Sequence, residues 1–407
     1  NTPNIRFKGF TDDWEQRKLE EIVERVTRKN QDLVSELPLT ISAQYGLIDQ
    51  NEFFDKRVAS KDVSGYYLIY NGEFAYNKST STDAPWGAIK RLDKYENGVL
   101  STLYIVFKIR NEEEVNSDFL VTYYDTSNWH KDIQAIAAEG ARNHGLLNIA
   151  PADFFKTELM MPQDIDEQKK IGDYFKSLND LITLHQRKCD ETKKLKKYML
   201  QKMFPQKNEK KPEIRFAGFT DDWEQRKLGD IITEYKETVD SDCTLPILTS
   251  SKTEGVILQE EHFGRKQQHD ITGYNILPRN YCTYRNRSDG VDFTFNINKC
   301  CDKGIISKFY PVFSGKNSDV FFLSLVLNNS EEVVREIAYT CTGTGQKVLS
   351  FLDLQKMKVR VPNFDEQKEI AAYFESLDHI ITLHQRKCDE IKEVKKFMLQ
   401  NMFPQKG

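Results

Sequence analysis

The sequence predicts an α+β protein in which two globular domains are separated by two long helices packed as an antiparallel coiled coil, with a pseudo-two-fold internal repeat. One observation is a duplicated block, because residues 5–19 read IRFKGFTDDWEQRKL and residues 214–228 read IRFAGFTDDWEQRKL. Another is that ITLHQRKCDE occurs identically at 182–191 and at 381–390. The segments between these blocks differ, so the chain repeats a common frame around two different domains.

The repeat divides the chain of 407 residues into four consecutive parts. A chain of this length commonly contains two or three domains, and each half is long enough to bury a core. The predicted parts are a first variable domain with its N-terminal segment at 1–162, a first long helix at 163–207, a second variable domain with the repeated segment at 208–362, and a second long helix at 363–407.

The duplicated FTDDWEQRKL block predicts a short helix near the start of each half. Asp12 and Glu15 have the spacing of a capping box, and the second copy repeats that spacing. We expect Trp14 and Trp223 to be packing anchors, with exposure in a partner interface as the alternative. Apolar residues then recur at helical intervals in both copies: Leu19, Ile22, Val23 and Val26, and Leu228, Ile231, Ile232 and Tyr235.

A capping box also begins each long helix. Asp164 precedes Glu167 by three residues, and Asn363 precedes Glu366 by three. Apolar side chains then recur at steps of three and four, which predicts the seam of a coiled coil. The seam residues are Ile171, Phe175, Leu178, Ile182, His185, Cys189, Thr192, Met199 and Met203, and in the second copy Ile370, Phe374, Leu377, Ile381, His384, Cys388, Ile391, Met398 and Met402.

Each seam contains one lysine and one histidine. Lys196 and Lys395 interrupt the repeat, and an apolar residue precedes each of them. A helix of about 40 residues is about 60 Å long, and an apolar seam of that length requires a partner, for which we expect the other copy. We expect His185 and His384 to be hydrogen-bonded interface residues, with a metal or catalytic role as the alternative.

The two variable segments predict α+β domains. Both are rich in Tyr, Phe, Ile and Val, with runs typical of strands at 103–109 and 291–297 and helical patterns at 318–327 and 331–339. The two domains share landmarks in the same order. YNKS at 76–79 corresponds to YRNR at 284–287, GVLSTLYIVF at 98–107 to GIISKFYPVF at 304–313, and GARNHG at 140–145 to TGTGQK at 342–347.

The polar tips of these corresponding loops are candidate DNA contacts. Arg, Lys, Asn and Gln make paired hydrogen bonds to base edges in the major groove, whereas Lys, Ser and backbone amides hold phosphates. Ordinary glycine-flanked turns are the alternative. The candidate residues are Lys78, Ser79, Arg142, Asn143 and His144 in the first domain, and Arg285, Asn286, Arg287, Gln346 and Lys347 in the second.

The overall charge does not favour nucleic-acid binding through bulk charge. The net charge is −4, from 58 basic and 62 acidic residues, so contact with DNA would require local patches. Residues 278–308 form one such patch, for which a solvated surface of mixed charge is the alternative. Its basic residues are Arg279, Arg285, Arg287, Lys299, Lys303 and Lys308, against Asp289, Asp292 and Asp302.

Several catalytic and binding motifs are missing from the sequence. It contains no GxxxxGK[ST] phosphate loop, no GxSxG elbow, no HExxH helix and no Asn/Asp-Pro-Pro-aromatic run, and Val348 replaces the third glycine of a dinucleotide fingerprint. The seven cysteines include no CxxC pair, which indicates reduced thiols and neither a zinc site nor a disulfide framework. We expect a cytoplasmic chain, without a membrane segment, catalytic residues or a metal of its own.

The duplicated frame resembles the specificity subunit of type I restriction-modification enzymes over essentially the whole chain. The resemblance is carried by Trp14–Leu19 and Trp223–Leu228, by the Glu-Gln turns at 167–168 and 366–367, and by the GARNHG loop. It implies a non-catalytic subunit whose two target recognition domains each read one half of a bipartite site in double-stranded DNA. The long helices would then be a ruler for the unspecified spacer.

The same resemblance implies partners. Two modification subunits would dock along the long helices and methylate one adenine per half-site with S-adenosylmethionine, and restriction subunits would add ATP-driven translocation and cleavage. No cofactor is then expected in this chain, since S-adenosylmethionine, ATP and Mg would bind to partner subunits. The second domain has GTGQK at the GARNHG position, so the place of its reading loop is better predicted than the residues within it.

The alternative function is a structural adaptor that binds proteins through its coiled coil and duplicated domains, which an isoelectric point of about 6.1 would suit. Salt-dependent DNA binding distinguishes the two functions, because phosphate contacts make affinity fall steeply with salt. The missing motifs disfavour a third class, a stand-alone enzyme.

Overall fold

A computed structural model describes residues 2–42, 45–82, 84–137, 142–143 (backbone only), 145–206, 209–265, 270–290, 292–342 and 346–404. The chain divides into two compact units, Asn1–Gln186 with Arg386–Gly407, and Arg187–Gln385. Each unit therefore contains one variable domain and about half of each long helix. The domain boundaries expected at residues 162, 207 and 362 stay a prediction.

The first unit is built around a four-stranded antiparallel sheet. Its strands are β1 (Glu15–Lys18), β2 (Val23–Val26), β3 (Leu39–Ser42), β4 (Gly46–Asp49), β5 (Tyr67–Tyr70), β6 (Phe74–Asn77), β7 (Ala88–Arg91), β8 (Asn97–Leu100), β9 (Ile105–Ile109), β10 (Arg142–Asn143), β11 (Leu146–Leu147) and β12 (Glu158–Met161). Its helices are α1 (Leu19–Ile22), α2 (Gln50–Phe54), α3 (Ser117–Asp125), α4 (His130–Ile136), α5 (Pro151–Phe154) and the start of α6 (Ile165–Lys202). The sheet order is β2-β9-β6-β7, and the pairs are β1-β12, β3-β4, β5-β8 and β10-β11.

The second unit repeats this plan. Its strands are β13 (Glu224–Lys227), β14 (Ile232–Tyr235), β15 (Leu248–Ser251), β16 (Gly255–Leu258), β17 (Asn275–Pro278), β18 (Cys282–Tyr284), β19 (Arg287–Ser288), β20 (Phe295–Ile297), β21 (Lys303–Ile306), β22 (Val312–Gly315), β23 (Lys347–Val348) and β24 (Lys358–Val361). Its helices are α7 (Leu228–Ile231), α8 (Gln259–Phe263), α9 (Val320–Asn329), α10 (Glu331–Thr340), α11 (Phe351–Lys356) and the start of α12 (Phe364–Asn401). The sheet order is β14-β22-β18-β20, and the pairs are β13-β24, β15-β16, β17-β21 and β19-β23.

Each sheet packs against a helix to form the core of its domain. In the first unit, Phe74 and Phe107 of the sheet and Phe119 of α3 are fully buried in one cluster. In the second unit, Phe313 of the sheet and Phe322 of α9 take the corresponding positions. The predicted α+β class is confirmed, and so are the helical patterns at 318–327 and 331–339, which match α9 and α10 closely.

The helix predicted for the FTDDWEQRKL block is wrong. Residues Glu15–Lys18 form β1, which pairs with β12 so that Glu15 lies opposite Met161. Only one helical turn, α1, follows before the chain continues as β2, and the second copy forms β13, α7 and β14 in the same way. Pairing with a distant strand overrides the local helical pattern, because secondary-structure propensity is weaker than tertiary context.

The duplicated tryptophans are packing anchors, as predicted. Trp14 and Trp223 are each 2% exposed. The ring of Trp14 lies edge-on to that of Phe403, just beyond α12, with ring centroids 5.7 Å apart. The ring of Trp223 lies edge-on to that of Phe204, just beyond α6, at 5.9 Å. In each unit, the tryptophan therefore packs the end of a long helix against the domain.

The predicted N-caps of the long helices are confirmed, although the boxes are not completed by their glutamates. The Asp164 carboxylate accepts a hydrogen bond from the Asp166 backbone N at 2.8 Å, just inside α6. The Asn363 side chain accepts one from the Glu366 backbone N at 3.0 Å, at the start of α12. These caps satisfy backbone donors that have no partner within the helix.

The box glutamates form buried ion pairs instead. The Arg6 guanidinium donates two hydrogen bonds to Glu167, at 2.7 and 2.8 Å, and the Glu167 side chain is 1% exposed. The Arg215 guanidinium donates two to Glu366, at 2.6 and 2.7 Å, and the Glu366 side chain is 0% exposed. Each arginine belongs to the duplicated IRF sequence and each glutamate to the Glu-Gln turn, so the ion pair connects the two repeated motifs.

The glutamines of the same turns hold the next helix of each domain. The Gln168 side-chain oxygen accepts a hydrogen bond from the backbone N of Asn116, the N-cap of α3, at 2.9 Å. The Gln367 oxygen accepts one from the backbone N of Asp319, the N-cap of α9, at 3.0 Å. The Glu-Gln turn thus joins each long helix to its domain through one ion pair and one buried amide.

The long helices are antiparallel in the first unit. The Cys388 Sγ lies 3.9 Å from the carbonyl oxygen of Ile182. Seven residues earlier on α6, the ring of Phe175 lies 6.3 Å from that of Phe403, which follows α12. The two helices therefore run in opposite directions.

The second unit makes the same contacts with the two helices exchanged. The Cys189 Sγ lies 3.9 Å from the carbonyl oxygen of Ile381, and the ring of Phe204 lies 6.1 Å from that of Phe374. This contact is the repeat of the one between Cys388 and Ile182. The predicted antiparallel coiled coil and its pseudo-two-fold repeat are confirmed.

The seam lysines do not interrupt the packing, because acidic side chains pair with them. The Lys196 Nζ lies 2.5 Å from the Asp378 carboxylate of the other long helix. The Lys395 Nζ lies 2.8 Å from the Asp125 carboxylate, at the end of α3. The apolar residues that precede the two lysines are 44% and 47% exposed. The lysines, and not their apolar neighbours, therefore keep the seam positions.

The histidines and cysteines of the seam lie in its packed part. Cys189 and Cys388 are buried, and His185 and His384 are half-buried. The seven cysteines are free thiols. Within the described ranges, no group of three or more His, Cys, Asp or Glu side chains could hold a metal ion.

Asp125 is the anion of a charge cluster in the first unit. The Lys90 Nζ lies 2.6 Å from its carboxylate and the Lys395 Nζ 2.8 Å from it. Burial alone would raise the pKa of Asp125, but the two ammonium groups hold that pKa below its usual value.

Asp125→Asn is expected to destabilise the protein by about 1–3 kcal/mol at pH 7, because a charged hydrogen-bond acceptor is lost. A carboxylate whose pKa is lowered by folding stabilises the fold above its unfolded pKa of about 3.9 and ceases to do so as pH falls through its folded pKa. The difference in free energy of unfolding between the wild type and this variant should therefore shrink as pH is lowered below 4 in urea denaturation. Asp180→Asn, at an exposed position of α6, is the control, and a pH-independent difference for Asp125→Asn would contradict the prediction.

Candidate nucleic-acid interface

Two loops of the first domain that are distant in sequence meet at the end of β6. The Leu147 backbone N donates to the Lys78 carbonyl at 2.9 Å, and the Thr80 backbone N donates to the Gly145 carbonyl at 2.7 Å. Ser79 forms an isolated β-bridge with Leu146. The structure therefore brings the candidates Lys78 and Ser79 against the short hairpin of β10 and β11.

The candidates of this hairpin are described only in part. Arg142 and Asn143 form β10, with Arg142 opposite Leu147, and their side chains lie outside the description. His144 lies outside the described residues altogether.

Lys78 and Ser79 differ in accessibility. The Lys78 ammonium group donates to the Ile149 carbonyl at 3.3 Å, and burial lowers the pKa of Lys78. Ser79 is exposed, and its backbone N donates to the Asn77 side chain at 3.0 Å. Lys78 therefore supports the loop from within, whereas Ser79 lies at its surface.

The second domain has the same junction. The Leu349 backbone N donates to the Asn286 carbonyl at 3.0 Å, the counterpart of the bond from Leu147 to Lys78. Strand β19 pairs with β23, so that Arg287 lies opposite Val348 and the next residue lies opposite Lys347. The correspondence predicted between YNKS and YRNR is therefore also a structural one.

The second-domain candidates are mostly accessible. Arg285, Arg287 and Gln346 are exposed, and Lys347 is half-buried. The Gln346 amide donates to the Asp289 carboxylate at 3.5 Å. The Asn286 side-chain oxygen is buried without a hydrogen-bond partner among the described residues. Gly343, Thr344 and Gly345, which complete this loop, lie outside the described residues.

A buried tyrosine fixes the strand beneath each junction. The Tyr76 hydroxyl donates to the Trp86 carbonyl at 2.8 Å, and the Tyr284 hydroxyl donates to the Leu349 carbonyl at 3.1 Å. Burial raises the pKa of both tyrosines, so the hydroxyls are neutral donors. The polar residues that follow each tyrosine are thereby placed at the surface of a rigid core.

Part of the basic patch at 278–308 is neutralised internally. Arg279 Nε lies 2.8 Å from the Asp302 carboxylate, and Lys299 Nζ lies 2.7 Å from the Glu375 carboxylate on α12. These two side chains hold local structure. The other basic residues of the patch are Arg285, Arg287, Lys303 and Lys308.

An open pocket of about 400 Å³ lies beside the second junction. Three basic side chains line it, against two acidic ones. The lining consists of Ser250, Lys252, Arg285, Arg287, Ser288, Asp289, Gly290, Asp292, Phe293, Thr294 and Tyr310. Such a concave, polar surface with a basic excess can take part of an anionic ligand.

Sequence reasoning did not single out Lys252, which lines this pocket, or Phe309, which contacts Arg287. Lys252, at the turn of the β15-β16 hairpin, forms an ion pair with Asp292. Its hydrogen bond, together with one from Ser288, lowers the pKa of Asp292. Phe309 lies beneath Arg287, with the guanidinium carbon 4.5 Å from the ring centroid. The correspondence of GVLSTLYIVF with GIISKFYPVF places Phe309 at the position of Leu103, a signal that could have found it.

Comparison with known proteins decides the family. The family model of the type I restriction modification DNA specificity domain matches residues 11–194 and again residues 220–393. The chain belongs to the type I restriction-modification DNA specificity family. The two matches cover most of the chain and follow its internal repeat, so the resemblance drawn from the sequence is confirmed.

Two specificity subunits of Methanocaldococcus jannaschii are similar to this one. The putative type I restriction enzyme MjaX specificity subunit is 23% identical over 428 residues, which cover 97% of this chain and 94% of the relative. The type I restriction enzyme MjaVIII specificity subunit is 21% identical over 324 residues, which cover 74% and 72%. The crystal structure of a type I restriction-modification system S subunit from M. genitalium has the same fold, with a TM-score of 0.64, 11% identity and full coverage of both chains.

This specificity subunit is therefore a DNA-recognition subunit with two recognition domains. The alternative of a protein-binding adaptor is not favoured. Across the described ranges, none of the helices is both long and apolar enough to cross a bilayer. The individual DNA contacts stay a prediction.

Proposed function

We propose that this specificity subunit recognises a bipartite site in double-stranded DNA, with each domain reading one half. The junction of two loops is the observation that carries the proposal. The bond from Leu147 to Lys78 and the bond from Leu349 to Asn286 build the same junction, yet the polar side chains around it differ. A shared scaffold with different polar tips suits the reading of two different half-sites, since phosphate contacts fix position and side chains select bases.

The candidate residues have different roles in this proposal. Lys78 donates to the Ile149 carbonyl, so we assign it to support of the loop. Ser79, Arg142, Asn143 and His144 contact the first half-site. In the second domain, Arg285, Asn286, Arg287, Gln346 and Lys347 surround the junction and contact the second half-site.

The subunit acts without catalysis in this proposal and positions partners that carry the chemistry. Two modification subunits dock on the long helices and methylate one adenine in each half-site, and restriction subunits complete the complex. S-adenosylmethionine, ATP and Mg bind to these partners.

Exposed apolar side chains on the long helices support the docking. They recur at helical intervals on one side of the seam, and their exposed fractions are 37–56%. Such stripes mark protein interfaces, because water is a poor solvent for them. The residues are Leu181, Leu195 and Tyr198 on α6, and Ile380, Leu383, Val394 and Phe397 on α12.

Substituting Leu195→Glu and Tyr198→Glu together is expected to weaken binding of a modification subunit at least about tenfold, because burial of an aromatic anchor commonly contributes 2 kcal/mol or more to an interface. Analytical ultracentrifugation of the mixed subunits would measure the affinity. Lys197→Glu is the matched control, since it adds an exposed acidic residue to the same helix on the side away from the stripe. Assembly of the double variant with wild-type affinity would contradict the docking surface.

DNA binding by the assembled complex tests the function itself. A complex that makes 6–10 phosphate contacts should lose about 10³–10⁵ in affinity between 50 and 200 mM salt. Fluorescence anisotropy with a labelled duplex that contains the methylated sequence would measure this dependence. An assembled complex that binds no DNA at low salt would instead support the adaptor.

A further inference from the structure

One residue of the pocket beside the second junction, Arg287, is suited to form hydrogen bonds with a base. We propose that Arg287, held over the ring of Phe309, reads a guanine in the half-site of the second domain. This inference rests on the proposed function and assigns within it one side chain and one base. Phe309 is a positioning residue, because it acts through Arg287.

The guanidinium group of Arg287 is both oriented and available. Its carbon lies 4.5 Å from the centroid of the Phe309 ring, a distance at which the cation is attracted to the aromatic face. Arg287 is exposed. Its side chain makes no hydrogen bond or ion pair within the part of the chain that the structure describes, so its donors are free for a ligand.

The backbone holds the two partners of this stack together. The Asn286 N, which precedes Arg287, donates to the Phe309 carbonyl at 2.9 Å. Arg287 also lies opposite Val348 in the pairing of β19 with β23. A side chain fixed in this way loses less conformational entropy on binding than a free arginine. The junction therefore holds the guanidinium group in a defined position.

The acidic residues of the pocket are already engaged. Asp292 is paired with Lys252, and Asp289 accepts a hydrogen bond from Gln346. Neither carboxylate forms an ion pair with Arg287 in the described structure. Among the described residues, no ion pair therefore neutralises the positive charge of Arg287.

Guanine is the base that matches this donor. Its major-groove edge presents two acceptors, O6 and N7, to the two parallel N–H groups of an arginine. Adenine presents an amino donor next to N7, so one arginine N–H would face another donor instead of an acceptor. The first domain has Ser79 and Leu103 at the corresponding positions, so we expect this mode of reading only in the second half-site.

Methylation by the assembled complex of duplexes that carry every base pair at each position of the second half-site would test the inference. Arg287→Ala should lower discrimination at one guanine position about 5- to 150-fold, as expected for the loss of one bidentate contact. Arg287→Lys should lose this discrimination too, since an ammonium group lacks the planar pair of donors. Phe309→Leu should lower it about two- to fivefold and Phe309→Tyr should preserve it, because only the tyrosine retains an aromatic face.

Leu103→Phe is the matched control in the first domain and should leave the second half-site unchanged. A uniform loss at all positions in Arg287→Ala would show a phosphate contact and overturn the inference. Unchanged discrimination in the Arg287 variants would also overturn it, while the proposed function would stand. A wild-type complex that methylates no bipartite sequence would overturn both.

Discussion

Deletion of one heptad from each long helix is expected to shorten the DNA spacer by about three base pairs or to abolish methylation. Residues 182–188 and 381–387 both read ITLHQRK, so removing both leaves every remaining seam residue at its heptad position. Seven helical residues span about 10 Å, and B-DNA rises about 34 Å per turn of 10–10.5 base pairs. If the helices fix the separation of the recognition domains, the half-sites must move closer.

The recognised spacer would be read from the methylated positions in a genome that carries the variant. Thr183→Ala with Arg187→Ala alters exposed residues of the same heptad at constant length and should leave the spacer unchanged. Deletion of four residues from one helix alone puts its seam out of register with the other, and loss of assembly is expected. Full methylation with the wild-type spacer after the double deletion would contradict a ruler role for the helices.

Glu366→Ala is expected to lower the free energy of unfolding by about 3–5 kcal/mol, because removal of one partner leaves a buried charge without compensation. The Glu366 side chain is 0% exposed and that of Arg215 is 12% exposed. The hydrogen bonds to Glu366 raise the pKa of Arg215. The arginine stays charged even when its partner is lost, because a guanidinium group is not deprotonated in proteins. Glu167→Ala should have a similar effect through Arg6, in the first unit.

Urea denaturation would measure these losses. The double variant Arg215→Met with Glu366→Met is the informative control, since replacing both partners by apolar residues removes the uncompensated charge. It should recover most of the stability that the single variant loses. A double variant as unstable as Glu366→Ala, or a single variant within about 1 kcal/mol of the wild type, which is the range of an exposed ion pair, would show that the pair is not the connection between helix and domain.

The long helices could be predicted from the sequence because their signals are local. A seam at steps of three and four and the caps Asp164 and Asn363 need only neighbouring residues. The partners of the charged side chains could not be predicted, because Lys395 pairs with Asp125 and Glu167 pairs with Arg6 across large sequence separations. Spacing alone therefore indicated a capping box where the fold places an ion pair.

The secondary structure at the start of each half of the chain could not be predicted from the local sequence pattern. Residues Glu15–Lys18 carry a helical pattern, but β12 provides a hydrogen-bonding partner for a strand. Strand pairing is a property of two segments, and only one of them is visible in a local pattern. The burial of Trp14 was predictable nonetheless, because a large aromatic residue tends to be packed in either conformation.

The correspondence between the candidate loops of the two domains could be predicted, whereas the contacts of their side chains could not. The repeat aligned Lys78 with Asn286, and the structure joins both to the final loop of their domains in the same way. The stack of Arg287 on Phe309 and the pairing of Lys252 with Asp292 depend on loops meeting in space. Composition gives no sign of such contacts.

Methylation mapping of Arg142→Ala and Lys347→Ala beside the wild type tests most directly whether the two domains read separate half-sites. We predict a wild-type site of two short specified sequences separated by a fixed gap. Arg142→Ala should relax one of them and Lys347→Ala the other, with the gap unchanged in both variants. A site without a gap, or loss of specificity in both halves from either substitution, would contradict independent reading by the two domains.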